Sequence, residues 1–270
     1  MVDIRSEPTR NSVAHVDAVG PSTLLRRLTI PVGVIVALVV ALAWFVSWAT
    51  FGTMMMLAAP AVIGSTDLAV FFALIVVMMV AMMLPSALPM ALAYHGITRL
   101  EGGRPTKPAD ILGSVAFIVP YFVVWGLFGV AALLALAGLG VMGSMLMGPA
   151  LFLPAGVLVV AGLWQVTRTK EVCLTHCTSP MGFVLHHWRS GRLGAMRMGF
   201  RHSLYCIGCC WLFMLVLFVA GSMSLVWMGG LSVAIFVEKV GLRPRLVSRA
   251  IGVALVAFGS ALAYATIVSM

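Results

Sequence analysis

Charged residues are scarce in this chain. They make up 9% of its 270 residues, whereas a soluble domain carries about 25%. Apolar runs of about 20 residues, the length needed to cross a bilayer, recur along the chain. The alternating ten-residue pattern of a membrane β-barrel is missing, and a spanning segment must satisfy its own backbone hydrogen bonds. The composition therefore excludes an ordinary soluble domain and predicts an all-α integral membrane protein.

Basic residues are missing from one side of the predicted topology. We predict about seven transmembrane helices, over residues 28–49, 67–93, 110–137, 149–166, 203–220, 223–240 and 247–268. All 17 Lys and Arg residues then lie on the side of the N-terminus, either before the first helix or at or near the cytoplasmic ends of the later helices. Because basic loops stay inside, we expect a cytoplasmic N-terminus and a C-terminus outside. Fusing the fifth and sixth helices would place the last basic loop outside, so we reject a six-helix topology.

The remaining segments are a tail and a long loop. Residues 1–25 are polar and predict a disordered cytoplasmic tail, followed by a single transmembrane domain over 26–270. The loop 167–202 contains apolar residues mixed with arginines, which predicts an interfacial cytoplasmic segment between helices four and five. The net charge of +9 is explained by cytoplasmic loops. We expect a multi-pass protein of the plasma (inner) membrane whose partner is the lipid bilayer, and no nucleic-acid binding.

Cysteines are few, and all five lie between Lys170 and Trp211, together with four of the six histidines. Two groups share the spacing i, i+3, i+4, which places such residues on one face of a helix. The first group is Cys173, His176 and Cys177; the second is Cys206, Cys209 and Cys210, with His202 one turn before it. Two such half-sites predict either one metal site or two, against the alternative that the cysteines are incidental buried residues.

The predicted cytoplasmic location determines the chemistry of these thiols. Structural disulfides are rare in a reducing compartment, and we expect Arg168 and Lys170 to lower the pKa of nearby thiols. Thiolates favour Cu(I), Zn(II) and iron–sulfur centres, and imidazole suits zinc and copper. We therefore predict a metal role, with copper as the metal and zinc or iron as alternatives.

Methionine is abundant, with 19 residues. In the second predicted helix Met78, Met79, Met82 and Met83 form two i, i+4 pairs. Other methionines fall on the predicted outer side, namely Met54, Met55, Met56, Met142, Met145, Met147, Met223 and Met228. Thioethers are soft ligands that suit Cu(I), although Met is also a flexible filler of packed helices. The functional interpretation is a path along which copper moves inward past Pro85 and Pro89 to the Cys–His cluster.

Several motifs together resemble one bacterial family. They are Met82-Met83-Leu84-Pro85-Ser86, Lys170-x-x-Cys173-x-x-x-Cys177-x-x-Pro180, Met198-Gly199-x-x-His202-x-x-Tyr205-Cys206-x-Gly208-Cys209-Cys210-Trp211, and Trp227-Met228 followed by Glu238-Lys239. The chain from about residue 40 is similar to the predicted metal-binding integral membrane proteins of domain of unknown function 2182. This resemblance implies metal binding, without specifying a metal or a reaction.

These observations leave four functions open. The first is a membrane protein that binds and translocates or hands over a soft metal, most simply copper(I), to a metallochaperone or metalloprotein partner. The second is a membrane thiol–disulfide oxidoreductase, since Cys206-x-x-Cys209 has dithiol spacing. The third is a non-catalytic subunit that anchors a metalloprotein complex. A fourth, a metalloenzyme, lacks the usual acidic and histidine ligands, so we expect no catalytic residues.

Overall fold

The computed structural model describes residues 21–57, 64–98, 100–101, 104–105, 110–138, 152–219 and 224–269. Within them the chain is helical, apart from two strands of two residues each. The elements are α1 (Pro21–Ala49), α2 (Phe51–Leu57), α3 (Ser65–Thr98), β1 (Leu100–Glu101), β2 (Arg104–Pro105), α4 (Ile111–Gly138), α5 (Leu153–Trp164), α6 (Arg168–Thr178), α7 (Pro180–His186), α8 (Gly191–Val219), α9 (Leu225–Val240) and α10 (Pro244–Val268). The strands pair antiparallel, with Leu100 opposite Pro105.

The chain divides into two compact units, residues 1–39 and 40–270. The described part of the first unit is helical, residues 21–39 of α1. Five residues assigned to the predicted tail therefore lie in α1, while residues 1–20 lie outside the described residues. Outside them too are Met142, Met145, Met147 and Met223. The tail and the limits of the membrane domain stay predictions.

Four described helices are long and apolar enough to cross a membrane: Thr66–Thr98 of α3, α4, α8 and α10. They match the predicted segments 67–93, 110–137, 203–220 and 247–268. The predicted segment 149–166 is shorter in the structure, because α5 ends at Trp164 after 12 residues. Thr167 then caps α6, accepting a hydrogen bond at its side chain from the backbone N–H of Lys170. The segment 223–240 contains α9, which has 16 residues.

The predicted loop 167–202 is mostly helical. It consists of α6, α7 and the first three turns of α8. α8 begins at Gly191, whose φ of +78° is the left-handed conformation that glycine adopts at little cost. Three arginines in those first turns lower the hydropathy without preventing a helix, so the membrane-crossing pattern starts later than the helix does. The structure thus replaces one irregular loop by three helical pieces.

Close packing of small residues joins the helices. On α4, Gly126 and Gly129 lie against α3. A Cβ added at Gly126 would collide with the ring of Phe72, and a Cβ added at Gly129 would collide with the side chain of Ile75. Gly199 of α8 lies in the same way against the α4 backbone. α5 and α10 meet at another pair of glycines, and Ser248 of α10 donates to Gln165 beyond the end of α5. These contacts hold α3, α4 and α8 closely together and, separately, join α5 to α10.

Candidate metal centre

Three cysteines from two helices meet in the interior. The sulfur atoms of Cys177 on α6 and of Cys206 and Cys209 on α8 all lie within 4.8 Å of one another, and all three side chains are buried. The Cys177 and Cys209 sulfurs are 3.9 Å apart. We call Cys177, Cys206 and Cys209 the three-thiol cluster. The two predicted half-sites therefore share one location, although each contributes only some of its members.

The burial pattern of α6 explains which members take part. The residues of this helix that are buried are Lys170, Leu174 and Cys177, a stripe of spacing i, i+4, i+7 that faces α8. Cys173 lies at the edge of this stripe and is partly exposed, with its sulfur against Gly208. Gly208 also accepts a hydrogen bond from the indole of Trp164 at 3.2 Å. A larger residue at position 208 would push Cys173 and α6 away from α8.

The two predicted histidine ligands occupy different surroundings. His176 points away from the three-thiol cluster: its ring stacks on Tyr205 with centroids 4.1 Å apart, and its Nδ1 lies 2.9 Å from the carbonyl of Val172. His202 is buried, stacked on Tyr121, and neither of its ring nitrogens has a hydrogen-bond partner among the described residues. A buried imidazole without partners is costly, so His202 is the predicted histidine that retains unused donor capacity.

The third cysteine of the α8 group, Cys210, lies beside the three-thiol cluster. The sulfur of Cys210 is 3.1 Å from that of Cys209. Cys209 in turn donates to the backbone carbonyl of Cys206 at 3.2 Å. Because Cys209 and Cys210 are adjacent and their sulfurs are so close, one ion of ordinary metal–sulfur bond length would reach both only at a narrow angle. Cys210 is placed to support Cys209 rather than to complete the cluster.

Two polar side chains from other helices converge on the sulfur of Cys206. The ammonium of Lys239 on α9 donates to it at 2.9 Å, and the hydroxyl of Tyr121 on α4 lies 3.0 Å away. Lys239 is 7% exposed, so little water screens its charge. A buried cation beside a thiol favours the thiolate. These surroundings therefore favour the thiolate form of Cys206, which is the form that binds a metal.

A buried ion pair lies directly behind the cluster. The ammonium of Lys170 is 2.8 Å from a carboxylate oxygen of Glu238, and each side chain is 1% exposed. Lys170 also donates to the backbone carbonyl of Cys209 at 2.7 Å and lies 4.8 Å above the ring centroid of Phe213. Lys170 therefore joins α6, α8 and α9 at one point. Since Glu238 neutralises Lys170, the positive charge left over near the sulfurs is that of Lys239.

Outside the long helices, the surroundings of two thiols disfavour their ionisation. Burial raises the pKa of Cys173, and the ammonium of Lys170 opposes that rise without cancelling it. The pKa of Cys177 is also raised, first by its hydrogen bond with Cys206. Lys170 thus acts on Cys173 in the expected direction, but the expected net lowering of the pKa is wrong for both Cys173 and Cys177. The ammonium of Lys170 lies 2.8 Å from a carboxylate oxygen of Glu238, which offsets its positive charge.

The sulfur spacing fits a single soft ion. For a metal–sulfur bond of about 2.3 Å, three sulfurs around one ion in a plane lie roughly 4.0 Å apart. The separation of 3.9 Å between Cys177 and Cys209 meets that value without movement. The donor set is soft, since it contains thiols and no carboxylate within reach of the cluster among the described residues. Copper(I) suits such a set, and calcium or magnesium do not.

The predicted methionine pairs of α3 are buried in the same core as the cysteines. Met78, Met79, Met82 and Met83 are each at most 3% exposed and belong to the cluster that contains Cys206 and Cys209. α3 runs unbroken through Pro85 and Pro89. The role of these methionines as ligands stays a prediction.

Sequence reasoning missed Tyr121 and underestimated Glu238 and Lys239. Tyr121 and Lys239 lie 85 and 33 residues from Cys206, so no local spacing connects them to it. Glu238-Lys239 entered the sequence analysis only as part of a family motif, without a role at the metal site. The sequence did contain a signal for Glu238 and Lys239, because an ionisable residue within an apolar helix is costly and usually has a functional partner.

Comparison with known families agrees with this chemistry. A family model described as PpoB2, copper chaperone, matches residues 72–262, more than half of the chain. The matched range contains the three-thiol cluster, Tyr121, Glu238 and Lys239. Neither the curated proteins nor the solved structures contain a significant match.

Proposed function

Since the chain belongs to the PpoB2 family of copper chaperones, we propose that it binds one copper(I) ion through Cys177, Cys206 and Cys209 at the membrane and hands it to a partner protein. The observation that carries this proposal is the meeting of three buried sulfurs from α6 and α8. Soft thiolates bind copper(I) strongly, while the surrounding apolar core excludes competing water. Copper is the cargo of this site.

The charges around the cluster support binding of a monovalent soft ion. Copper(I) held by three thiolates leaves two negative charges, and the ammonium of Lys239 offsets one of them. Tyr121 donates a further hydrogen bond to Cys206. These contacts stabilise the thiolates without adding a fourth ligand. His202 is the residue that we propose as an alternative ligand, because its ring nitrogens have no hydrogen-bond partner among the described residues.

Hand-over requires a ligand that a partner can reach. Of the five cysteines, Cys173 is the one that is partly exposed, and it lies one helical turn before Cys177 on α6. We propose that Cys173 takes up the ion as it leaves the three-thiol cluster and passes it to the thiols of a metallochaperone or metalloprotein. If the topology follows the positive-inside rule, this exchange takes place on the cytoplasmic side. Inward movement of copper along α3 past Met79 and Met83 is the corresponding proposal for translocation.

The test is metal analysis of the full-length protein in nanodiscs. The protein is reconstituted with copper(I) and a competing chelator, and bound copper per chain is measured by mass spectrometry. We expect Cys177→Ser and Cys209→Ser each to weaken binding by at least ~100-fold, since second-shell changes alone cost about 10–100-fold. The matched control is Cys173→Ser on the same helix, which should keep equilibrium binding but slow transfer to a thiol acceptor.

The outcomes separate the proposed site from the alternatives. If Cys173→Ser weakens binding as much as Cys177→Ser does and Cys209→Ser leaves it unchanged, the ligand set is that of α6 alone. If all three variants retain copper with unchanged affinity, the three-thiol cluster is not the copper site. Equal affinity of the wild type for zinc(II) and copper(I) at the same chelator strength would contradict the choice of copper.

A further inference from the structure

A second set of soft donors lies elsewhere in the fold, around a small cavity between α2, α3 and α9. The cavity has a volume of about 20 Å³ and is bordered by the methionines Met54, Met78 and Met228. Each of them comes from a different helix, and each is at most 6% exposed. The other bordering residues are Ser47, Thr50, Phe51 and Leu74. No pattern within a single helix brings these three thioethers together.

The space bordered by these side chains is partly open to the surroundings of the protein. Methionine is flexible, and where it serves as a filler it bends into the gaps of a core. Here three such side chains border a gap that they leave open. A cavity needs about 10–15 Å³ to hold one water molecule, so the volume is sufficient for one water molecule or one bare metal ion.

Two hydroxyl groups also border this cavity. The hydroxyl of Thr50 donates to the carbonyl of Val46 at 2.8 Å and is therefore satisfied. The hydroxyl oxygen of Ser47 is buried and has no hydrogen-bond partner among the described residues. A buried hydroxyl without a partner costs about 1–3 kcal/mol. A hard oxygen and three thioethers, with no carboxylate bordering the cavity, form a neutral donor set.

The cavity is separate from the three-thiol cluster. Met228 precedes Glu238 by ten residues of α9, which at 1.5 Å per residue is about 15 Å along the helix axis. The stretch of α9 between Met228 and Glu238 is also in contact with α3. Ser232, one turn after Met228, donates to the backbone carbonyl of Met82 at 3.3 Å, and Met82 lies one turn after Met78. The thioether-bearing face of α3 therefore runs along α9 from the cavity towards the end of α9 that carries Glu238 and Lys239.

We propose that Met54, Met78 and Met228 form a second, thioether-lined site for a monovalent soft cation, copper(I) or its analogue silver(I). The choice of metal rests on the proposed function. Neutral thioethers bind soft monovalent ions without a proton being released, and they hold them less tightly than thiolates do. The cavity is thus a weaker site than the three-thiol cluster, and it lies upstream of that cluster along α3 and α9.

The test combines substitutions at both sites in the full-length protein in nanodiscs, with silver(I) and copper(I) as probes. One variant is Met54→Leu/Met78→Leu/Met228→Leu, in which leucine conserves most of the volume. A second is Cys177→Ser/Cys206→Ser/Cys209→Ser, and a third combines both sets. The matched control is Met90→Leu, a buried methionine of α3 that does not border the cavity.

We expect two monovalent ions per wild-type chain, one in either triple variant and none in the combination, with Met90→Leu like the wild type. In selenomethionine-labelled protein, copper X-ray absorption should show copper–selenium scattering in the cysteine variant, and the added Met→Leu changes should abolish it. If the Met→Leu set leaves both the ion count and the scattering unchanged, the cavity is packing only and the inference is overturned. A failure of the proposed function would give a different result. The cysteine substitutions would then remove no ion, while the Met→Leu substitutions would still remove one.

Discussion

Replacing Lys170 by methionine should leave the Glu238 carboxylate buried without its cation. The two groups are 2.8 Å apart and each is 1% exposed, so water does not screen the pair. Methionine keeps most of the length and apolar area of the lysine stem. The change therefore removes charge and hydrogen bonding rather than packing.

The magnitude follows from what is left unsatisfied. Removing one partner of a buried ion pair costs about 3–5 kcal/mol. The carbonyl of Cys209 loses its 2.7 Å hydrogen bond from Lys170 as well, which adds about 1–3 kcal/mol when the acceptor is buried. The double variant Lys170→Met/Glu238→Leu removes both charges and keeps only the second cost. We expect the free energy of unfolding of the double variant to lie within about 3 kcal/mol of the wild-type value and clearly above that of Lys170→Met.

The assay is reversible unfolding in mixed micelles, followed by circular dichroism, for the wild type, both single variants and the double variant. The double-mutant cycle gives the coupling free energy between the two positions. A coupling of at least ~2 kcal/mol is expected. Additive effects, with the double variant as unstable as the sum of the singles, would refute the reasoning, because Glu238 would then not depend on Lys170 for its charge compensation.

Two further predictions concern the cluster and the packing around it. Lys239→Met removes the ammonium that donates to Cys206 and should weaken copper(I) affinity by about 10–100-fold in a chelator competition. Lys239→Arg keeps a positive charge and should recover part of the lost affinity. Unchanged affinity in Lys239→Met would contradict the electrostatic role. Gly199→Ala places a methyl group against the backbone of Phe117 and should destabilise the protein by about 1–3 kcal/mol, whereas Gly229→Ala, which meets nothing within 4 Å, should be neutral or slightly stabilising. Equal effects of the two glycine changes in the same unfolding assay would exclude close packing as the reason.

Helical class and membrane character follow from composition, because sparse charge and long apolar runs leave few alternatives. Helix limits follow less well. Hydropathy reports where a helix crosses lipid, so it detected α8 only after Arg201, although the helix begins at Gly191. It also extended α5 past Trp164, because it does not register that Thr167 caps the next helix.

The candidate site shows the same division between local and distant information. The i, i+3, i+4 spacing identified the cysteines, since helical periodicity is local. It did not show that Cys177 faces inward while His176 faces away, because the buried stripe of α6 is set by contact with α8. Tyr121 and Lys239 reach Cys206 only through tertiary packing, and a single sequence without such contacts could not place them there.

Cys177 and Cys209 are 32 residues apart in sequence, and an ion that bonds to both closes that stretch into a ring. In this respect copper bound as we propose would act as a cross-link. For a ring of this size the loss of chain entropy in the unfolded state corresponds to about 3.7 kcal/mol at 25 °C, by the relation used for disulfides. The loaded chain should then resist unfolding more than the empty one. A recipient that takes the ion also opens the ring, so delivery leaves behind a chaperone whose α6 is held on α8 by fewer constraints.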